Sequence, residues 1–551
     1  MSIFIGAEFL YIRGAKMKNH SFFKLSTILT FLIIAISCNS DQKSMNNEKV
    51  DMSTKKLYNE DLRPQFHFSP KENWTNDPNG MVYYKGTYHL FFQHNPVGIN
   101  WGNMTWGHSV SSDMVHWEEL EDAIVPDELG TIFSGTATVD WNNSAGFQVG
   151  DEKTIVASYT YCGSCEQFGD PGPDEPFTQA IAYSTDGGKT FTKYSGNPVL
   201  ENIAGGGDRD PKVFWHEPTQ KWVMLLYLDY KTDDFWTHRN WRFAFFNSDD
   251  MKNWTKVSEM EDIEMFECPE IFELAIDGDE NNKKWVIYGA SGDYLIGNFD
   301  GKKFTRESGR FRGDFGPNFY ASQTYNDIPK SDGRRIQIGW MRDGEYPSMP
   351  FNQQMTFPVV LTLKTTDDGI RMLKEPIKEI ESIYTSNSLS LINKIVKPNE
   401  NILEGFKASL LDVEVIVEPR GASDFGFTTN ELTIRYYVDE GVLASGNRSY
   451  QKHTAPLKLD NGTVKLRLLI DRSSLEVFGN DGRVTLSSNY NGSDSVEENN
   501  MNLRFYSNDG EVLIKSLKIH ELKSIWSDEN KSNFYDQKGI NSETKLKPEI
   551  N

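Results

Sequence analysis

Three short stretches of the chain set an acid one or two residues before a proline: Trp74-Thr-Asn-Asp77-Pro-Asn-Gly80, Arg209-Asp210-Pro211 and Phe266-Glu267-Cys268-Pro269. Taken singly each could be a turn or a strand entry, since Asn, Asp, Pro and Gly are the residues turns demand. Proline biases the residue before it toward extended backbone, so each acid can point inward from the start of a strand. Three carboxyls aimed at one pocket could divide acid and base work. Splitting a glycosidic bond needs two in different protonation states: one ionised beside the oxocarbenium-like centre, one protonated to give its proton to the leaving oxygen. Glu267, flanked by Met265, Phe266 and Cys268, is expected to have its pKa raised by desolvation, which suits the proton donor. Asp77, with Asn76 and Asn79 as hydrogen-bond donors, is expected to stay ionised, and Asp210 beside Arg209 to be held charged and to grip substrate hydroxyls.

The acids are far apart in sequence, so the elements must bring them together. From Arg63 to about Thr366 one pattern recurs: an extended apolar segment, a Ser/Asn-Asp turn, then an aromatic residue. Its copies are His108 to Asp113 with Trp117, Ala182 to Asp186 with Phe191, Phe246 to Asp250 with Trp254, and Gly297 to Asp300 with Phe304. Asp and Gly between strand formers is hairpin chemistry. A spacing of about 50 to 75 residues is the span of a four-stranded sheet, and about five such sheets in a ring make a propeller with its ligand site at the centre. The alternative is a series of unrelated hairpins in a sandwich. Past Pro376 and a short helical-looking link, strict alternation over Leu411 to Val417, Leu432 to Val438, Val464 to Ile470 and Leu475 to Phe478 predicts a β-sandwich. The fold expected is all-β, with a propeller over 61–370, a sandwich over 390–523 and a loose tail over 524–551.

At 551 residues the chain exceeds what one core usually serves, and short apolar segments with 13% aromatics favour strands. Lys16, Lys18 and Lys24 precede an apolar run from Leu25 to Ile36, the shape of a secretory signal over residues 1–37. Ala35-Ile36-Ser37-Cys38 resembles the bacterial lipobox, which makes Cys38 the acylated first residue of an exported lipoprotein and 38–60 its tether; otherwise the signal is an ordinary one with an incidental cysteine. The net charge is −22, and the leader holds four basic and one acidic residue, so the mature chain is more acidic still. That disfavours nucleic acid and anionic membrane surfaces as partners and suits a neutral carbohydrate. Cys162-Gly-Ser-Cys165 lies among turn formers, as a loop disulfide or two idle thiols, and no second ligand pair completes a zinc site.

Together these motifs resemble glycoside hydrolase family 32, the invertases, inulinases and levanases, from about Arg63 to Leu522. The first motif carries Thr75 where the family has methionine; Arg-Asp-Pro and Glu-Cys are intact and in order, and Asp471-Arg-Ser-Ser-Leu-Glu-Val-Phe-Gly-Asn-Asp-Gly482 is similar to the C-terminal signature. The resemblance implies a five-bladed propeller joined to a sandwich that supports it, and a retaining, two-step cleavage of fructose-containing oligo- or polysaccharides that needs no metal or cofactor. It makes Asp77 the nucleophile, Glu267 the general acid and then base, about 5 to 5.5 Å away, and Asp210 the transition-state stabiliser. It lines the fructose subsite with Asn76, Gln93, Trp101, Phe133, Ser134 and Arg209. Release of fructose from chain ends is the first expectation, with endo-cleavage, sucrose as substrate, transfer to a sugar acceptor, and a non-catalytic fructan binder as the alternatives.

Overall fold

The chain folds into five four-stranded blades followed by two packed sheets. Blade one is β1 (Asn73–Tyr84), β2 (Thr87–Asn95), β3 (Thr105–Ser111) and β4 (Glu118–Ile124); blade two is β5 (Thr131–Asp140), β6 (Thr154–Cys162), β7 (Thr178–Ser184) and β8 (Thr192–Lys193). Blade three is β9 (Arg209–His216), β10 (Lys221–Asp229), β11 (Trp241–Ser248) and β12 (Thr255–Met260); blade four is β13 (Glu270–Ile276), β14 (Asp279–Tyr288), β15 (Tyr294–Phe299) and β16 (Phe304–Phe311). Blade five takes β17 (Tyr320–Thr324) and β18 (Arg335–Trp340), then, after the short β19 (Phe351–Asn352), β20 (Val359–Thr366) and β21 (Gly369–Pro376). The structure is a computed structural model that describes residues 57–526 except 164, 166–174, 231–239, 262, 448–451 and 491–499. The expected leader, Cys38, most of the tether and the tail beyond residue 526 lie outside the described residues.

The recurring Asp turns are the outermost hairpins of blades one to four. In each, one aspartate oxygen accepts two backbone N–H groups: Asp113 from Val115 and His116, Asp186 from Lys189 and Thr190, Asp250 from Lys252 and Asn253, Asp300 from Lys302 and Lys303. A carboxylate that closes its own turn makes the hairpin local, which is why it repeats in the sequence. The aromatic that follows packs against a neighbouring element: Trp117 edge-on to Phe68 of the segment before β1, Phe191 edge-on to Phe91 of blade one, and Trp254 and Phe304 in apolar clusters shared by adjacent blades.

Innermost strands β1, β5 and β9 are buried along almost their whole length, as strands covered on both sides must be. The ring closes where β19 pairs parallel with β1, Asn73 opposite Phe351 and Trp74 opposite Asn352. Across the centre, Lys212 Nζ meets Glu270 Oε1 at 2.8 Å with both side chains 1% exposed, Lys212 also donates to Asn326 Oδ1, and Thr324 N–H donates to Glu270 Oε2. These contacts tie blades three, four and five together.

A 3₁₀ helix (Lys378–Ile383) leads into the sandwich: β22 (Tyr384–Val396), β23 (Leu411–Arg420), β24 (Asp424–Thr428), β25 (Leu432–Tyr437), β26 (Val442–Asn447), β27 (Lys452–Pro456), β28 (Val464–Ile470), β29 (Ser474–Gly479), β30 (Val484–Asn489), β31 (Arg504–Asn508) and β32 (Glu511–Leu522). A six-stranded sheet, ordered β22-β32-β23-β28-β29-β30, faces a five-stranded one, β27-β26-β25-β24-β31, and alternate residues such as Val413, Val415, Phe425, Phe427, Leu466 and Leu468 fill the space between. The signature loop before β29 reaches back to the start of the propeller. His67, fully buried, holds Asp471 Oδ2 with Nδ1 at 2.9 Å and Glu476 Oε2 with Nε2 at 2.8 Å. Asp471 also accepts the Gln65, Phe66 and His67 N–H groups, and Glu476 accepts that of Phe357.

Candidate active site

At one end of the ring the inner strands share an irregularity. In β1 the pairing skips so that Asn76 and Asp77 together oppose Gln93; in β5, Phe133 and Ser134 oppose Thr160; in β9, Asp210 and Pro211 oppose Leu226; in β17, Ala321 and Ser322 oppose Gly339. In blade four, just before β13, the Ala290 N–H donates to both Phe266 O and Glu267 O. Each extra residue is a bulge that turns a side chain out of the pleat toward the axis. The backbone cost is visible, with left-handed φ at Asp210 (64°), Glu267 (49°), Cys268 (41°) and Ala321 (48°), about 1–3 kcal/mol for each non-glycine residue. The proline-imposed extended geometry expected at the acids therefore fails at Asp210 and around Glu267. The bulge, held by cross-blade bonds such as Asp210 N–H to Thr160 Oγ1 at 3.1 Å, overrides the preference.

The bulges open on a cavity of about 370 Å³ lined by Asp77, Asp210 and Glu267. Asn76, Gln93, Trp101, Phe133, Ser134 and Arg209, the six other residues singled out in the sequence, line it as well. Asp77 Oδ2 accepts the Ser134 hydroxyl at 2.6 Å and its Oδ1 the Asn76 amide at 3.0 Å. Asn79 does not reach it; with its amide turned to satisfy its neighbours, Asn79 bonds Ser134 Oγ and Gln93 and so orients the donor to Asp77. Asp210 Oδ2 accepts the Cys268 N–H at 2.9 Å, and the Cys268 sulfur lies 3.5 Å from Asp210 and 3.6 Å from Asp77, bracketed by the two carboxylates. Glu267 is held from both sides, Oε1 by Arg209 at 2.6 and 3.1 Å and Oε2 by the Tyr320 hydroxyl at 2.6 Å.

Three electrostatic expectations are corrected by these partners. Arg209 pairs with Glu267 and stands 3.9 Å from its sequence neighbour Asp210. Burial pushes the Asp210 carboxyl up to about 7; Arg209 opposes the rise, and the nearby Glu267 and Asp77 charges add to it. Glu267 does not sit in apolar company: Phe266 turns away to pack edge-on against Tyr227 and Trp241, leaving the carboxylate to Arg209 and Tyr320. Burial also pushes Asp77 up, opposed by the Ser134 and Asn76 donors, so this acid is not simply held ionised in a polar turn. The Cys268 thiol is pushed up by burial and by the three acids and stays a neutral donor between them.

The cavity contains six residues that the motifs did not single out as site residues: Trp74, Cys268, Tyr320, Trp340, Arg342 and Asp343. Trp74 and Trp340 meet edge-on with centroids 6.2 Å apart, and the Arg342 guanidinium lies 4.5 Å over the Tyr320 ring. One signal was present, since Trp340-Met-Arg-Asp343 repeats the Trp-x-x-Asp spacing of Trp74-Thr-Asn-Asp77. Behind Phe133, Cys162 and Cys165 form a disulfide that packs with Phe177, the first of the two states their spacing allowed. Among the described residues no group of His, Cys, Asp and Glu is arranged to hold a metal ion.

Comparison with known proteins agrees with this geometry. Residues 67–376 match the glycosyl hydrolases family 32 N-terminal domain and 379–521 the family 32 C-terminal domain. The chain is 41% identical to a levanase of Bacillus subtilis (strain 168), over 86% of this chain and 72% of that one. It is 33% identical to an extracellular exo-inulinase of Aspergillus awamori, over 85% and 96%. In three dimensions it resembles the crystal structure of exo-inulinase from Aspergillus awamori, with TM-score 0.74 and 31% identity over 85% of this chain and all of that one. It also resembles β-fructofuranosidase from Schwanniomyces occidentalis complexed with fructosyl-erythritol, with TM-score 0.72 and 26% identity over 86% of this chain and all of that one. Motifs, blade geometry and both domain matches lead to one conclusion: the chain belongs to glycosyl hydrolases family 32.

Proposed function

We propose that this hydrolase releases fructose from the ends of fructan chains, levan first and inulin or sucrose as further substrates, by a retaining double displacement. Asp77 attacks the anomeric carbon, Glu267 protonates the leaving oxygen and then activates water, and Asp210 holds fructose hydroxyls as charge develops. The observation that carries this assignment is the convergence of three carboxyls from three blades on one aromatic-walled cavity. Arg209 and Tyr320 fix both oxygens of Glu267, so its orientation is set before substrate arrives. The indole faces of Trp74, Trp101 and Trp340 offer apolar surface to a sugar ring.

The propeller, residues 61–370, carries the chemistry and the sandwich, 390–523, supports it. The basic, apolar leader and Cys38 make the protein an exported lipoprotein tethered to a membrane, and relatives named extracellular support export. Purified protein assayed side by side on levan, inulin and sucrose tests the function. Fructose as the sole early product is expected, and a ladder of short oligosaccharides would mean endo-cleavage. Glu267→Gln should lower kcat about 10²–10⁴-fold; unchanged turnover would remove Glu267 from the acid role.

A further inference from the structure

The inner strands run from the acid cavity to a second, larger one of about 530 Å³ at the opposite end of the ring. It is formed where β5, β9, β13 and β17 end or pass on, and its volume lies in the range of ligand sites. Four of the chain's 13 tryptophans line it, Trp141, Trp215, Trp222 and Trp285, as three others line the acid cavity. Three of these rings are pinned by their edges: Trp141 Nε1 donates to Asp327 Oδ1 at 2.9 Å, Trp215 Nε1 to Glu217 Oε2 at 2.7 Å and Trp222 Nε1 to Ser144 Oγ at 2.7 Å. Trp141 is nevertheless 51% exposed at the mouth. An indole whose N–H is satisfied by the protein and whose face is left in water is a rigid apolar platform, not a core residue.

Polar groups stand beside the platforms, including Asp300 and Lys330 on the exposed rim. Aromatic faces with hydrogen-bonding groups at their edges match a sugar ring, which is apolar on one face and hydroxylated around its rim. Acidic side chains outnumber basic ones in the lining, and the chain is acidic overall, so a polyanionic ligand is disfavoured. We infer that the second mouth is a non-catalytic binding site for a neutral oligosaccharide segment, resting on the fructan reading above, and that it keeps polymeric substrate on the enzyme between cleavage events. Its acids are each engaged by the protein, Asp327 by Thr138, Val139 and Trp141, Glu217 by Trp215, Asp300 by its own turn and Glu273 by Lys283, so the site binds without turnover. Its benefit is a raised local concentration of chain ends.

The test combines kinetics with binding on the full protein. Trp141→Ala/Trp215→Ala should raise KM for levan or inulin polymer about five-fold, the scale of one aromatic platform, with kcat on polymer and kcat/KM on sucrose unchanged. Trp141→Ala alone removes only a half-exposed ring and should show the same split if the double variant is unstable. In Glu267→Gln protein, which is expected to bind without splitting, calorimetric titration with a short fructo-oligosaccharide should give two sites, falling to one when the tryptophan changes are added. One site in Glu267→Gln, or an unmoved polymer KM in the tryptophan variants, overturns the inference. A wild-type protein inactive on levan, inulin and sucrose alike would instead sink the function on which it rests.

Discussion

Asp210 is expensive to keep ionised. Its carboxyl is 7% exposed, lies beside two other acids, and shares the arginine next to it in sequence with Glu267, which holds it more closely. A carboxyl raised from 3.8 to about 7 contributes stability that is fully present below its ordinary value and is lost as pH rises through about 7. Asp210→Asn should therefore raise unfolding stability by about 1–3 kcal/mol at pH 8 while abolishing activity. At pH 4 the gain should vanish, and thermal melts at the two pH values check it. A variant no more stable than wild type at pH 8 would mean that Asp210 is not strained by its charge. At this scale the sequence was informative about which residues meet and misleading about how they pair. Acids, order and lining residues were visible in motifs, but Arg209 chooses a partner 58 positions away in another blade, a choice that neighbours in sequence do not encode. Tyr320 was missed for the same reason, because its hydroxyl meets Glu267 only once the blades are assembled.

Between residue and molecule, two kinds of element decide the site. The outer hairpins were legible because one aspartate closes each turn by itself, so type and spacing carry the whole signal. The inner bulges were not, because a bulge is a relation between two strands and the prolines beside the acids pointed to plain extended backbone. The C-terminal signature is a third case: its pattern was recognisable, and its purpose is now physical. Asp471 and Glu476 hold His67 of the propeller between them and push its ring up to about 9, against the burial that alone would lower it. With a histidine raised above 6.5, this contribution is complete below pH 6.5 and drains away as pH rises through about 9. His67→Asn should cost about 3–5 kcal/mol at pH 6, because two buried carboxylates lose their cation. The loss should shrink toward pH 10, and urea unfolding followed by tryptophan fluorescence at both pH values would show it. Equal losses at the two would mean that the ring acts by packing alone.

For the whole molecule, composition and repeat length were enough to expect an all-β propeller with a sandwich behind it. Ring closure was less visible, since it depends on the two-residue β19 lying along β1 and on central polar contacts such as Lys212 with Glu270. Closure is what gives the acids one address: without it Asp77, Asp210 and Glu267 would face three separate blade edges. Trp74, Trp340, Arg342 and Asp343 also line the cavity, and no motif named them as site residues. The central claim is that the three acids act as one retaining site with Asp77 as nucleophile. Its most direct test is to give Glu267→Ala protein a fructoside whose leaving group needs no proton, quench it, and weigh its peptides. The peptide containing Asp77 should carry one added fructosyl group; a fructosyl group on another carboxylate, or rapid turnover with none trapped, would contradict the assignment.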